Sequence, residues 1–188
     1  MDGIDRRDLL KLLASAPVAA GFAWTEAEAR EAHHLAQAAE RAAAKAGTSF
    51  TPTFFTAHEH ATVRVLVDLI IPRDDRSGSA TDAGVPEFMD FMMLDQPARQ
   101  TAMRGGLAWL DVECEKRFDR TFLDCSGTER SAVLDGIAWP DRAKPELSHG
   151  VAFFNSFRDL TATGFWTSKM GMEDLRYLGN KFVREWTG

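Results

Sequence analysis

Few side chains in this chain could do chemistry, and the spacing of each limits what it can do. His58-Glu59-His60 puts two imidazoles and a carboxylate in three consecutive residues, the right atoms for a metal. Two residues apart on a helix, however, side chains point to different faces. No H-E-x-x-H or E-x-x-H pattern brings a second ligand to the same face. A polar helix start with Glu59 as its cap is the better reading. Asp74-Asp75-Arg76-Ser77-Gly78-Ser79-Ala80-Thr81-Asp82 carries oxygen atoms of the kind calcium takes. Its spacing departs from the twelve-residue calcium loop, and the closing bidentate glutamate is missing. A solvated turn or a docking loop fits better. His149 could serve as a base, but no serine or cysteine in a nucleophile's setting accompanies it. Gly105-Gly106 lies inside a helical segment, so it is no phosphate-binding turn. These residues point away from a self-contained catalytic centre, a cofactor-binding residue or a metal ligand set.

The two cysteines, Cys114 and Cys125, have ten residues between them. In an exported chain an even pair reads as a disulfide; two buried free thiols are the alternative. There is no C-x-x-C or C-x-x-C-H to indicate a redox dithiol or attached haem.

Arg6 and Arg7 carry a different message. Asp5-Arg6-Arg7-Asp8-Leu9-Leu10-Lys11 precedes a short alanine-rich apolar run to Trp24, and Ala27-Glu28-Ala29 offers a small-x-small site with an unfavourable glutamate at its centre. That is the layout of a twin-arginine export signal over residues 1–29, which predicts a periplasmic destination. A cytosolic N-terminal helix that happens to hold two arginines is the alternative. The twin-arginine route carries folded proteins, often with a partner in place. A signal on a chain with no evident cofactor site therefore suggests that the chain travels with something else.

The elements that position these residues are helical. Thr25–Ala46 is alanine-rich with a thin apolar face, Leu35 its only large member, and is expected to bury little. With the linker it makes an arm over residues 30–53. Thr56 and Glu59 form a capping box, followed by Val63, Leu66, Val67, Ile70 and Ile71 at i, i+3, i+4, i+7 and i+8. Pro72 stops that helix. A helix opening at Val85-Pro86 is apolar on nearly every face, so it is central to the core or partly covered by another chain. Pro97 to Phe118, a capped segment from Ser126 to Trp139, and a stripe of Phe153, Phe154, Phe157 and Leu160 complete the pattern. The Gly- and aromatic-rich tail from Gly164 is expected to be irregular in part. No stretch alternates with a strand's period. The expected fold is all-α, with about five to six helices in residues 54–188 behind the signal and arm. A net charge of −6 with no basic stripe argues against nucleic acid. No apolar run reaches the roughly 18 residues of a membrane span.

The helix ending Asp68-Leu-Ile-Ile-Pro72, the loop Arg73-Asp74-Asp75 through Thr81-Asp82-Ala83-Gly84-Val85, and Pro86-Glu87-Phe88-Met89-Asp90 together form one landmark. Gly164-Phe-Trp-Thr-Ser and Asp174-Leu-Arg-Tyr-Leu-Gly179-Asn180 form a second. In this order, over roughly Phe54 to Asn180, the chain resembles the gluconate 2-dehydrogenase subunit 3 family. The resemblance implies a small non-catalytic subunit that assists folding and export of a signal-less large one. That large subunit would be an FAD-binding flavoprotein of the glucose–methanol–choline type. A cytochrome c subunit carrying haem c often receives the electrons and holds such complexes on the membrane. Gluconate, fructose, sorbitol, glucose and 3-position glycosides all occur as substrates, and nothing in this chain chooses among them. The residues expected at the flavoprotein interface are Arg73, Asp74, Asp75, Thr81, Asp82, Phe88, Phe91, Met92, Trp166 and Tyr177. The rival reading is a stand-alone α-helical binding module without a dehydrogenase partner.

Overall fold

The computed structural model describes residues 25–177 apart from 46 and 48. Seven α-helices account for the fold, and the described residues contain no strand. They are α1 (Glu26–Lys45), α2 (Ala57–Ile70), α3 (Val85–Asp95), α4 (Gln100–Phe118), α5 (Gly127–Asp135), α6 (Ser148–Thr167) and α7 (Lys169–Asp174). Short 3-10 turns at Pro97–Arg99 and Pro145–Leu147 lead into α4 and α6.

Both expected capping boxes form. Thr56 and Ser126 each accept a hydrogen bond from the backbone amide of the glutamate three residues on, and the Glu59 and Glu129 carboxylates in turn accept one from the cap residue's amide. The second box opens a helix shorter than expected: α5 ends at Asp135, with Gly136 as its C-cap, rather than at Trp139, and the chain turns there. Gly84 precedes α3 with φ of 75°, a left-handed conformation that favours glycine.

α6 is the axis of the molecule, touching α1, α2, α3, α4 and α7. α3 lies across it, with Phe88, Met89 and Met92 fully buried. Burying a side chain of that size contributes roughly 1.5–3 kcal/mol, so α3 and α6 hold much of the core between them. Two of the three acids on this apolar helix, Glu87 and Asp90, are buried, and one of them closes the fold. Asp90 accepts hydrogen bonds from the amides of Thr53, Phe54 and Phe55 at 2.8 to 3.0 Å. A carboxylate enclosed in this way needs such donors, and here they pin the linker before α2 to the core.

One expectation is corrected. The α1 arm does not stand clear of the body. Ala29, Ala32 and Ala36 are buried against α3 and α6, while Leu35 is 44% exposed. Small side chains let helix backbones approach closely, so the alanine face seats the helix and the leucine does not. His33, on the same face, stacks on Phe88 with ring centroids 4.6 Å apart and hydrogen-bonds the Gly164 carbonyl through Nε2. The described tail is helical in two pieces, broken at Ser168 and ending in a turn at residues 175–176. α6 runs through Gly164-Phe-Trp to Thr167, and Ser168 caps α7 by accepting from the Gly171 amide.

Candidate functional site

Beyond Pro72 the chain enters a surface loop whose shape is set by its own polar side chains. Asp74 accepts from the amides of Arg76 and Ser77, both at 2.9 Å. Asp82 accepts from the Ser79 amide and from the Arg73 guanidinium, each at 2.7 Å. The Ser79 amide first, and Arg73 after it, hold the Asp82 carboxyl below the usual carboxylate range. Asp68 reaches across from α2 to the Thr81 amide at 2.8 Å. Asp74 and Asp82 are thus engaged with backbone amides rather than gathered toward a common point. Among the described residues no group of three or more His, Cys, Asp or Glu is arranged to hold a metal ion.

This loop meets the C-terminal segment. The Arg76 guanidinium reaches the last residue of α7, lying 2.9 Å from both the carboxylate and the carbonyl of Asp174. A cation there also complements the negative end of a helix. Gly78 lies against the terminal methyl of Met170, and Gly164 against Phe88 and Val85. Two stretches about ninety residues apart in sequence therefore make one surface. Arg73, Asp74, Asp75 and Asp82 give it an exposed charged side, with Thr81 half-buried among them. Leu175 is 49% exposed and Tyr177 51%, and these supply its apolar side. Trp166 is half-buried, edge-on to Phe165, and its indole Nε1 is enclosed without an acceptor among the described residues.

A family model described as gluconate 2-dehydrogenase subunit 3 matches residues 57–185, from the start of α2 past the end of α7. The chain belongs to the gluconate 2-dehydrogenase subunit 3 family. Membership implies a dehydrogenase complex as the setting in which this subunit 3 chain works. α1 precedes the matched region. No curated protein and no solved structure matches the chain. No described helix is long and apolar enough to cross a membrane.

Against this frame of a subunit 3 fold, the expected interface residues divide. Arg73, Asp74, Asp75, Asp82 and Tyr177 lie on the surface just described. Phe88 and Met92 do not: both are 0% exposed, because α1, α2 and α6 enclose α3. An all-round apolar helix is here a core helix. Phe91 is half-buried, beside Phe50 and away from the loop. Leu175 and Arg76 were missed. A lone leucine after a helix carries no periodic signal, and the distant partner of a loop arginine is invisible to spacing rules.

The remaining candidates are dispersed. His58 pairs with Asp111 at 2.7 Å. Glu59 caps α2 and binds Arg104. His60 faces Glu87 at 3.8 Å, and burial first, then Arg64, lowers its proton affinity. Three neighbours in sequence thus serve three separate contacts. Cys114 and Cys125 are buried free thiols within hydrogen-bonding reach of one another, and burial pushes the Cys114 thiol up to about 12. Arg6 and Arg7 lie outside the described residues.

Proposed function

We infer that this chain is the non-catalytic small subunit of a heteromeric FAD-dependent dehydrogenase acting on the CH–OH groups of sugars, polyols or glycosides. In this reading it assists folding, export and stability of a glucose–methanol–choline-type flavoprotein, which supplies the FAD. A cytochrome c subunit with haem c takes the electrons and ties the complex to the membrane. Arg6 and Arg7 direct the assembly to the periplasm by the twin-arginine route. The observation that carries the reading is the convergence of the loop Arg73–Val85 and the C-terminal segment on one preorganised surface in a chain of this family. Preorganisation lowers the entropic cost of association, and a charged rim beside exposed Leu175 and Tyr177 has the make-up of a docking face.

The test is recovery of tagged chain from its native host, with an absorption spectrum of the eluate. Co-recovery of a flavin-containing protein is expected, and a clean colourless monomer overturns the reading. Leu175→Asp with Tyr177→Asp should release the flavoprotein while leaving helicity and melting temperature unchanged, since both side chains are half exposed. Retention of the flavoprotein by that double variant would move the interface elsewhere.

A further inference from the structure

On the face of α6 that meets α4 lies a second feature. α4 and α6 run antiparallel, with Gly106 abutting the Phe153 ring and Gly150 abutting the Trp109 ring. Beside these crossings the helices diverge around a cleft of about 520 Å³, walled by Met93, Met103, Trp109, Phe157 and Leu160. That volume falls within the range of roughly 300–1,000 Å³ typical of small-ligand sites. Arg99 stands at one end and His149 at the other. At a helical rise of 1.5 Å per residue the trough is about 15 Å long.

Two further observations bear on what could occupy it. The first is charge. Although the chain carries a net charge of −6, the titratable residues lining the cleft are, among the described residues, Arg99 and His149, with no described carboxylate in the lining. Glu28 of α1 is near enough to favour the Arg99 cation, but it stands outside the lining. Ser156, also in the lining, donates its hydroxyl to the Ala152 carbonyl at 3.1 Å. The second observation is Gly105. A glycine inside a helix is destabilising by roughly 0.5–1 kcal/mol relative to alanine. Gly105 does not have a positive φ, and a Cβ built on it meets nothing within 4 Å. Neither backbone conformation nor packing against the described residues calls for glycine there. Its bare backbone faces the cleft, where an occupant could lie directly against it.

We propose that this cleft binds a single-chain amphiphile with an anionic head, its apolar body lying along Gly105 between α4 and α6 and its head at Arg99. The proposal does not rest on the dehydrogenase-subunit reading. The docking surface lies on the loop and α7, and ligand binding is measurable on the full chain alone.

The test is calorimetric titration of the full chain with dodecanoate, dodecyl phosphate and dodecanol, each below its aggregation limit. One anion per chain is expected, bound at least about ten-fold more tightly than the alcohol, which corresponds to about 1.4 kcal/mol. Tighter binding of dodecanoate would name a free fatty acid as the source, and tighter binding of dodecyl phosphate a lipid headgroup. Arg99→Gln should bring the anions close to the alcohol. Gly105→Leu should abolish binding of all three while leaving the melting temperature unchanged or higher, because it fills open space and removes a helix glycine. Equal binding of alcohol and anions, or wild-type binding by Gly105→Leu, would overturn the proposal. So would a wild-type chain that ignores all three probes while Gly105→Leu loses a protein partner, since the cleft would then be a protein groove.

Discussion

At His33, burial and one hydrogen bond decide which protonation state the folded chain accepts. Desolvation lowers its proton affinity from the ordinary 6.5, and the bond to the Gly164 carbonyl offsets only part of that. The folded chain therefore holds fewer protons than the unfolded one in this range. Stability from the neutral ring is fully present above pH 6.5 and is lost as pH falls through the depressed value. His60 shifts in the same direction, so global stability will report both. Amide exchange separates them: α1 amides should lose protection ahead of α6 as pH falls below the ordinary 6.5, and His33→Gln should remove that difference. Uniform loss across both helices would show that α1 docking is not the sensitive step. For Cys114, a thiol pushed up to about 12 leaves roughly one part in ten thousand as thiolate at pH 8. The folded, reduced chain should resist iodoacetamide at this residue and react once unfolded. A Cys114–Cys125 disulfide is proposed for exported material. It would appear as a mass lower by two hydrogens, with about 3 kcal/mol lost on reduction.

At the scale of elements, adjacent glycines in α4 have opposite roles. A methyl at position 106 would run into the Phe153 ring, whereas one at 105 meets open space. Gly106→Ala should destabilise by ~1–3 kcal/mol through overpacking. Gly105→Ala should stabilise by ~0.5–1 kcal/mol. Thermal melts of the two variants check both signs, and a shared sign would mean the helix crossing is misplaced. The double glycine was legible in sequence as part of a helical segment, and the structure makes it a close crossing with no break in α4. Caps were legible because Thr56–Glu59 and Ser126–Glu129 satisfy orphan amides locally. The seating of α1 was not, because alanine gives almost no periodic apolar signal, and its value lies in how near it lets another backbone come. Asp90 did leave a clue. An acid on an otherwise apolar helix must be satisfied by something, though sequence could not say that the donors were the amides of residues 53–55.

For the whole molecule, the all-α class and the family landmarks were legible, and the assembly of those landmarks into one surface was not. Arg76 and Asp174 are 98 residues apart, beyond any local rule. The expectation that Phe88 and Met92 face a partner failed for a related reason. Periodicity reports how apolar a helix is but not whether its own chain encloses it. Enclosure makes a test possible: Met92→Lys should unfold the chain, in contrast to the tolerated Leu175→Asp and Tyr177→Asp pair. Circular dichroism would distinguish them, and a well-folded Met92→Lys chain would contradict the buried position.

The central place of α6 also has a consequence in time. The seats of α1, α2, α3 and α4 all include residues of Ser148–Thr167, a helix that leaves the ribosome after every one of them. Earlier helices therefore emerge with their apolar faces uncovered, and the core can close only once α6 has been made. A chain arrested before Gly164 lacks the carbonyl that receives His33, so its N-terminal helix cannot yet be seated.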